Sequence, residues 1–226
     1  MATSPPSSAR ARSWGSGTAA VARLLVAADR PLTGVAIARE VGVTQPRASQ
    51  ILKRLVAADA ARATEGGYVG RRAKLMDLYA VRARPALVEP ETFWYSTRGL
   101  MEQARRISVH VPWGAVAFSA DLGPDLLVPW RHPTAAMVYL AIRPDLAPAG
   151  LVPAEGRADA SVVARWTSDL ALLSAGRGWP RDVEGLRLVD PVQQWSDLIQ
   201  LGGEDRREAA HRLRRAILDR VVDRAA

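Results

Sequence analysis

Apolar residues recur at every third or fourth position in three successive segments near the start of the chain: TAAVARLLVAAD (18–29), GVAIAREV (34–41) and QPRASQILKRL (45–55). This spacing puts the apolar side chains on one face of an α-helix. Thr33 and Thr44, which stand just before the second and third segments, are good N-cap residues. Gly42 allows a sharp turn between these two helices, and Pro46 lies in the first turn of the third, where its missing N–H costs little. The pattern predicts three short helices with a tight turn before the third.

Two features after the third helix complete the prediction for this half. The segment ARATEGGYVG has short strand-forming stretches on both sides of Gly66-Gly67, which is typical of a tight β-hairpin. The segment RRAKLMDLYAVRAR (71–84) follows as a connecting helix. Three helices, a glycine turn before the third and a hairpin after it predict a winged helix-turn-helix domain over residues 17–84.

The third helix has two sides of different character. Ala48, Ile51, Leu52 and Leu55 form its apolar side and are expected to hold it against the first two helices. The opposite side carries glutamine, arginine and lysine, and no acid. In a winged helix this side enters the major groove, where Arg can bind guanine and Gln adenine through paired hydrogen bonds. The predicted DNA-binding residues are Thr44, Gln45, Arg47, Ser49, Gln50, Lys53 and Arg54 on the helix, with Arg62 and Tyr68 in the hairpin.

The distribution of charge agrees with this prediction. Residues 1–84 contain 14 Lys and Arg against 5 Asp and Glu, whereas residues 85–226 contain 17 Arg against 18 acids. The whole positive excess of the chain, +8 overall, therefore lies in the first part, as binding to a polyanion requires. The alternative is a winged helix that contacts protein or acts as a spacer, with a basic side that is only solvated.

The second half alternates strand-like and helix-like patterns. Strand candidates are AMVYLAI (136–142), ASVVARW (160–166) and EGLRLVD (184–190), and TRGLMEQARRISVHV (97–111) has a helical pattern. Asp190 is expected to cap a helix that begins at Pro191 and ends at Gly202-Gly203. A closing helix is predicted over residues 204–225, with Ala209, Leu213, Ile217 and Val221 on its apolar face.

These elements predict an α+β protein, in which the N-terminal winged helix-turn-helix is followed by a compact mixed α/β domain over residues 85–226. The proline-containing segment RPALVEPE (84–91) is the predicted boundary, and we expect each domain to bury a core of its own. The first 16 residues are rich in Ser, Pro and Arg and are predicted to be a disordered arm, in which Arg10 and Arg12 could contact phosphate.

Composition excludes several classes of site and of location. The chain has no cysteine, which excludes disulfides, thiolate metal sites and a cysteine nucleophile. No apolar run approaches the roughly 20 residues of a membrane span, and the N-terminal segment lacks the apolar region of a secretory signal. The expected location is the cytoplasm, with no membrane partner.

A search for catalytic or metal-binding residues finds no convincing constellation. His110, His132 and His211 are far apart and lack metal-ligand spacing. Ser119, Asp121 and Asp125 lie in GAVAFSADLGPDLL, but their spacing does not match a two-metal nucleotidyltransferase site, and we interpret this segment as a turn with N-capping acids. We therefore predict no catalytic residues, no metal and no cofactor.

Six of the seven tryptophans lie in the second half: Trp94, Trp113, Trp130, Trp166, Trp179 and Trp195. They could form a stacking platform for bases or for a ligand. Packing in the core or in an interface is the more common use of tryptophan, and the near-neutral charge of this half favours it.

The arrangement resembles the AbiEi-type antitoxins of type IV toxin–antitoxin systems and related winged-helix regulators. The resemblance lies in WGAVAFSADL and VPWRHPTAAMVYLAI, and in the closing segment DPVQQWSDLIQLGGEDRREAAHRLRRAIL. It implies an N-terminal domain that binds inverted repeats in its own promoter. It also implies a C-terminal domain that counters a nucleotidyltransferase toxin without necessarily forming a stable complex with it.

Three functions remain open at the level of sequence. The first is a DNA-binding transcriptional regulator, an autoregulatory antitoxin-like repressor that acts on double-stranded DNA as a monomer or homodimer. The second is a ligand-responsive repressor, with the tryptophan-rich domain as its sensor. The third is an enzyme that the winged helix targets to DNA, and the missing catalytic constellation argues against it.

Overall fold

The computed structural model describes residues 13–84, 87–130, 132–173, 179 and 181–222. These residues form a mixed α+β fold with eight α-helices, a two-stranded hairpin and a seven-stranded sheet, which confirms the predicted class. The predicted disordered arm falls largely on residues 1–12, which lie outside the described residues. Within the described part of the chain, no helix combines the length and the apolar character needed to cross a membrane.

The three predicted N-terminal helices are present as α1 (Ser16–Ala27), α2 (Gly34–Val41) and α3 (Gln45–Ala57). The hydroxyl of Thr33 caps α2 by accepting a hydrogen bond from the Ala36 amide at 3.2 Å. Gly42 ends α2 with a φ of 69°, in the left-handed region that glycine adopts readily. The glycine therefore sets the direction in which α3 leaves α2.

The predicted hairpin consists of β1 (Ala61–Thr64) and β2 (Gly67–Gly70), and α4 (Arg72–Arg82) follows it. The backbones of Leu32 and Tyr68 exchange two hydrogen bonds of 3.0 and 2.8 Å, which joins the segment before α2 to the hairpin. A Cβ on Gly67 would lie 2.4 Å from the Leu32 carbonyl oxygen, so this close approach requires glycine.

The larger sheet has the spatial order β6-β3-β7-β5-β4-β9-β8. Its strands are β3 (Thr92–Tyr95), β4 (Val116–Asp121), β5 (Ala136–Leu140), β6 (Val152–Pro153), β7 (Val162–Trp166), β8 (Arg181–Val183) and β9 (Leu186–Leu188). The pairs β5–β7 and β4–β9 are parallel, and the other neighbours are antiparallel. The three predicted strands are confirmed as β5, β7 and β9, and each is shorter than the predicted range.

The interpretation of GAVAFSADLGPDLL as a turn with capping acids is wrong for most of the segment. Residues Val116–Asp121 form β4, a strand that is buried at every position. Residues Leu122–Leu127 form the short helix α6. Neither acid is an N-capping acceptor for α6: Asp121 stands at the N-cap position without a side-chain capping bond, and Asp125 lies inside the helix and accepts a hydrogen bond from the Trp130 amide at 3.1 Å, beyond the helix end. A strand buried on both faces lacks the alternation that identifies half-buried strands, which is why the pattern was misread.

The remaining helices are α5 (Leu100–His110), α7 (Pro191–Leu201) and α8 (Glu204–Leu218). Asp190 caps α7 as predicted and accepts a hydrogen bond from the Gln193 amide at 3.0 Å. The closing helix is shorter than the predicted 204–225. Leu213 and Ile217 are buried, but Val221 beyond the helix end is 51% exposed and Val222 is buried in its place.

A single hydrophobic cluster extends through both halves of the described chain. It includes Leu25 and Leu75 from the N-terminal helices, Phe118 from the sheet, and Trp195 and Leu213 from α7 and α8. The expectation that each half has a separate core is therefore wrong. The large sheet and the three-helix unit are packed as one folded body.

Candidate nucleic-acid interface

The apolar side of α3 is buried as predicted. Ala48, Ile51 and Leu52 are fully buried, and Leu55 is 2% exposed. These four side chains hold α3 against the other helices, and the opposite side of α3 therefore faces solvent. Because a helix turns about 100° per residue, Gln50 and Lys53 are the predicted contact residues that lie most directly opposite the buried side.

The other predicted contact residues of α3 lie on its two flanks. Arg47 and Arg54 are seven residues apart and share one flank, whereas Gln45 and Ser49 lie on the other. Of the seven residues predicted on and before this helix, only Ser49 is half-buried; the exposed ones are Thr44, Gln45, Arg47, Gln50, Lys53 and Arg54. Thr44 occupies the N-cap position, but its side chain makes no capping hydrogen bond.

The two hairpin residues differ in their accessibility. Arg62 on β1 is exposed, while Tyr68 on β2 is half-buried and packs against the hydrophobic cluster. Arg62 lines a cleft of about 400 Å³ together with Arg30 and Arg72. The structure thus places Arg62 in a second basic region beside the hairpin, while much of Tyr68 is used in packing.

The basic side chains of this surface are not neutralised within the described part of the protein. Arg47, Lys53, Arg54 and Arg62 form no ion pair with a described carboxylate. The flank formed by Arg47 and Arg54 also faces Arg82 of α4, and these three arginines line one cleft of about 380 Å³. Arg82 was not predicted as a site residue, because it is 28 positions beyond Arg54 in the sequence.

A buried polar network joins α1 to the second half of the chain. The Arg23 guanidinium donates to Asp169 at 2.9 Å and to the Tyr79 hydroxyl at 3.0 Å, and it is 2.8 Å from Asp190. The Tyr79 hydroxyl donates in turn to Gln193 at 2.6 Å. Burial alone would lower the pKa of Arg23, but Tyr79 and the two carboxylates raise it above its ordinary value. Arg23 therefore stays charged in the interior.

The same network continues to a third carboxylate, that of Asp197 on α7, which is fully buried. Asp197 accepts hydrogen bonds from Ser119 at 2.6 Å, from Arg165 at 2.7 Å, and from the side-chain Nε2 of Gln193 at 2.9 Å. Tyr139 donates to it as well, at 3.0 Å. Burial raises the pKa of Asp197, and the Arg165 guanidinium opposes that rise. These four side chains bind one buried carboxylate, and three of them lie on strands of the sheet, so the cluster is a structural joint between the sheet and α7.

The candidate nucleotidyltransferase residues are used as structural partners. Ser119 is bound to Asp197, and Asp121 is held by Arg206 at 2.7 and 2.9 Å. The three histidines are exposed. Across the described residues, no group of three or more His, Cys, Asp or Glu is placed to hold a metal ion.

The tryptophans of the second half divide into buried and exposed residues. Trp166, Trp179 and Trp195 are buried, which confirms the packing interpretation for these three, and Trp94 is half-buried. Trp113 and Trp130 are exposed, and each lies under an arginine. The guanidinium carbon of Arg187 is 4.4 Å from the Trp113 ring centre, and that of Arg212 is 3.5 Å from the Trp130 ring centre. Cation–π contact therefore occupies the exposed rings.

The arrangement of α1 to α4 and the hairpin, with a basic side on α3, is the part of this molecule best suited to a nucleic acid. Comparison with protein-family models, with curated proteins and with solved structures finds no match for the chain. The resemblance to AbiEi-type antitoxins stays a prediction from sequence.

Proposed function

We propose that this protein is a sequence-specific DNA-binding transcriptional regulator in which residues 17–84 form a winged helix-turn-helix. In this proposal α3 is the recognition helix and the β1–β2 hairpin is the wing. The observation that carries it is the exposed side of α3, where Gln50 and Lys53 lie opposite the buried side with no acid beside them. A helix of this kind matches the major groove in size and in hydrogen-bonding groups.

The order of the N-terminal elements supports the proposal. Three helices are followed by an antiparallel hairpin, and Leu32 pairs with the hairpin from the segment before α2. This pairing fixes the hairpin beside the helices, so that Arg62 and α3 belong to one rigid unit. Arg62 is then available for the DNA backbone next to the groove that α3 occupies.

The proposal includes autoregulation, because the resemblance to antitoxins implies binding to inverted repeats in the protein's own promoter. The partner in that role is a nucleotidyltransferase toxin, which is countered functionally and need not be bound. The test is co-expression with a nucleotidyltransferase encoded beside this gene. Growth rescue by the full chain supports the antitoxin role, and toxicity that persists despite normal expression contradicts it.

The DNA-binding function is tested by genome-wide capture of DNA on the full chain, followed by footprinting of the strongest site. Gln50→Ala should weaken binding to that site by about 1–3 kcal/mol and relax the base preference at one position. Arg105→Ala is the matched control, since Arg105 is exposed on α5, outside the proposed interface. Unchanged affinity and base preference in both Gln50→Ala and Lys53→Ala would contradict docking through α3.

A second candidate function, a ligand-responsive repressor, is favoured by one cavity. A cleft of about 510 Å³ lies between α1, the turn from α2 to α3, and the segment 168–171. A small molecule bound there would contact the helix turn and the second half at once, and 300–1,000 Å³ is the usual size of a ligand site. A compound that raises the thermal midpoint and releases DNA would support this function.

A further inference from the structure

The cleft between α1, α3 and α4 differs in its lining from the cleft beside the α2–α3 turn and from the one beside the hairpin. Arg47 and Arg54 form the α3 side, Arg82 the α4 side, and Trp14 and Thr18 the side that precedes and begins α1. We call it the arginine cleft, after Arg47, Arg54 and Arg82. Among the residues that the structure describes, no acid lines it, whereas Glu40 and Asp169 line the cleft of about 510 Å³ and Asp29 lines the one beside the hairpin.

Backbone pairing far apart in sequence builds this cleft. The Trp14 amide donates to the Arg82 carbonyl oxygen at 2.8 Å, and Trp14 pairs in parallel with Ala83. The Trp14 ring meets the Tyr79 ring edge to face, with 6.2 Å between their centres. These contacts fix the segment before α1 against the end of α4, so the cleft has walls that are held in place.

Within the described residues, the arginines of the cleft lack the carboxylate partners that the buried Arg23 and Arg165 have. None of the three forms an ion pair with a described carboxylate, and the Nε of Arg82 is buried without a hydrogen-bond partner among the described residues. A buried donor of a charged group without a partner costs stability. An anion in the cleft would accept hydrogen bonds from the guanidinium groups that line it and neutralise part of their charge. Gly15, the N-cap of α1 on the cleft wall, offers no side-chain acceptor that would compete.

We propose that the arginine cleft binds a phosphate group. Guanidinium groups bind phosphate through paired N–H donors, and this geometry makes arginine the preferred residue for phosphate at planar, two-point contacts. Two of the arginines belong to α3, so a backbone phosphate of DNA bound on α3 is within their reach. DNA as the source of the phosphate rests on the proposed function. A free phosphorylated molecule offers the same chemistry independently of DNA.

The first arm of the test measures DNA affinity against salt concentration with the full chain and a duplex carrying the footprinted site. For Arg82→Gln and Arg54→Gln we expect weaker binding to all sequences. We also expect the slope of log affinity against log salt to fall by about 1 for each phosphate contact removed. Arg105→Gln changes the net charge equally and lies outside the cleft, so its slope should stay at the wild-type value.

The second arm uses inorganic pyrophosphate without DNA, with sodium chloride added to keep ionic strength constant. The thermal midpoint of the wild-type chain should rise with pyrophosphate in a saturable way, because a ligand that binds only the folded state stabilises it. Arg82→Gln and Arg54→Gln should lose that rise, and Arg105→Gln should keep it. Arg54 is exposed, so Arg54→Gln should not disturb folding, and it can be used alone in both arms if Arg82→Gln fails to fold.

The outcomes of the two arms test phosphate binding by the arginine cleft separately from the proposed DNA-binding function. A reduced salt slope assigns the phosphate to DNA, and loss of the pyrophosphate effect with an unchanged slope assigns it to a free phosphorylated ligand; both support the cleft. If the wild-type chain binds no DNA, the proposed function fails and the pyrophosphate arm alone decides the cleft. Wild-type behaviour of both cleft variants in both arms overturns the proposal.

Discussion

Arginine has opposite roles in the two regions of this protein. On the surface formed by α3 and α4, Arg47 and Arg54 are exposed and have no carboxylate partner among the described residues. In the interior of the second half, Arg165 is 2% exposed and is bound to both Asp197 and Glu91. Among the described residues, arginine is thus an unpaired surface cation in one region and a member of internal ion pairs in the other.

This difference explains what the bulk charge of the chain means. Arginines and acids of the second half largely cancel in number, and some of them pair in the interior, as Arg165 does with Asp197. A buried pair contributes little net stability compared with an apolar replacement, but breaking it by removing one partner is costly. Substitutions of paired residues in the second half should therefore change the free energy of unfolding, and substitutions on the α3 surface should change the affinity for DNA.

The largest effect is expected for Asp197→Ala. This change removes the carboxylate that accepts hydrogen bonds from Arg165 and Ser119, and among the described residues it leaves the buried guanidinium with only Glu91 as a charge partner. The free energy of unfolding should fall by about 3–5 kcal/mol, as is typical when one member of a buried pair is removed. Denaturant unfolding of the full chain measures the change.

The control for Asp197→Ala is Glu155→Ala, which removes an exposed acid and should leave stability nearly unchanged. Equal stability of the two variants would mean that the interior carboxylate is dispensable. The contrast between paired interior arginines and free surface arginines would then have no energetic basis.

A similar loss is expected for Leu213→Ala on α8. Leu213 is 1% exposed, and large-to-small changes at such positions cost about 2–5 kcal/mol. Because one hydrophobic cluster joins both halves, DNA binding and the fluorescence of the buried tryptophans should be lost at the same denaturant concentration. Ile199→Ala, at a 41% exposed position of α7, is the control. Two separate transitions would show that the halves unfold independently.

A smaller effect depends on pH and involves Glu91. Burial alone would raise the pKa of Glu91, but Arg165 and Arg157 lower it below its ordinary value. A carboxylate with a lowered pKa in the folded state stabilises the fold above its unfolded pKa of about 4.3, and this contribution is lost as pH falls through the folded pKa. The stability difference between wild type and Glu91→Gln should therefore be largest near pH 7 and shrink towards pH 3.

Unfolding curves across that pH range measure this difference directly. Subtracting the Glu91→Gln curve removes the opposite contributions of Asp190 and Asp197, whose pKa values burial raises in the folded state. A difference that stays constant from pH 7 to pH 3 would mean that Glu91 is not ionised in its pairs with the two arginines.

The smallest effect is expected for a surface pair in the first half. Arg71 and Asp59 are 3.0 Å apart, but their side chains are 54% and 70% exposed. Solvent screens such pairs, so Arg71→Ala should change the free energy of unfolding by less than about 1 kcal/mol. A loss as large as that of Asp197→Ala would remove the distinction between surface and interior pairs.

The first half of the fold was predictable because its signals are local. The predicted range of α2 and the observed range are the same, since Thr33 and Gly42 mark its two ends within the sequence itself. In the second half, β4 was missed because all of its residues are buried, and the short strand β3 was missed as well. The strand order depends on contacts between distant segments, which periodicity does not encode.

The candidate interface was predictable in part for the same reason. Helical spacing alone divides α3 into a buried side and a side that carries Gln50 and Lys53. The arginine cleft could not be predicted, because it forms only when Trp14 pairs with Ala83 and brings Arg82 next to α3. The link from Arg23 to Asp169 spans 146 positions and leaves no local pattern.

Arg23 also limits how this chain can be rearranged by gene fusion. A transplanted three-helix unit would carry a cation whose two carboxylate partners, Asp169 and Asp190, stay behind in the original protein. In a fusion protein the Arg23 guanidinium would be buried without a carboxylate partner, unless the new partner domain placed acids where Asp169 and Asp190 lie here. The two halves are therefore expected to be inherited together, with substitutions at position 23 tracking those at positions 169 and 190 across any lineage of this chain.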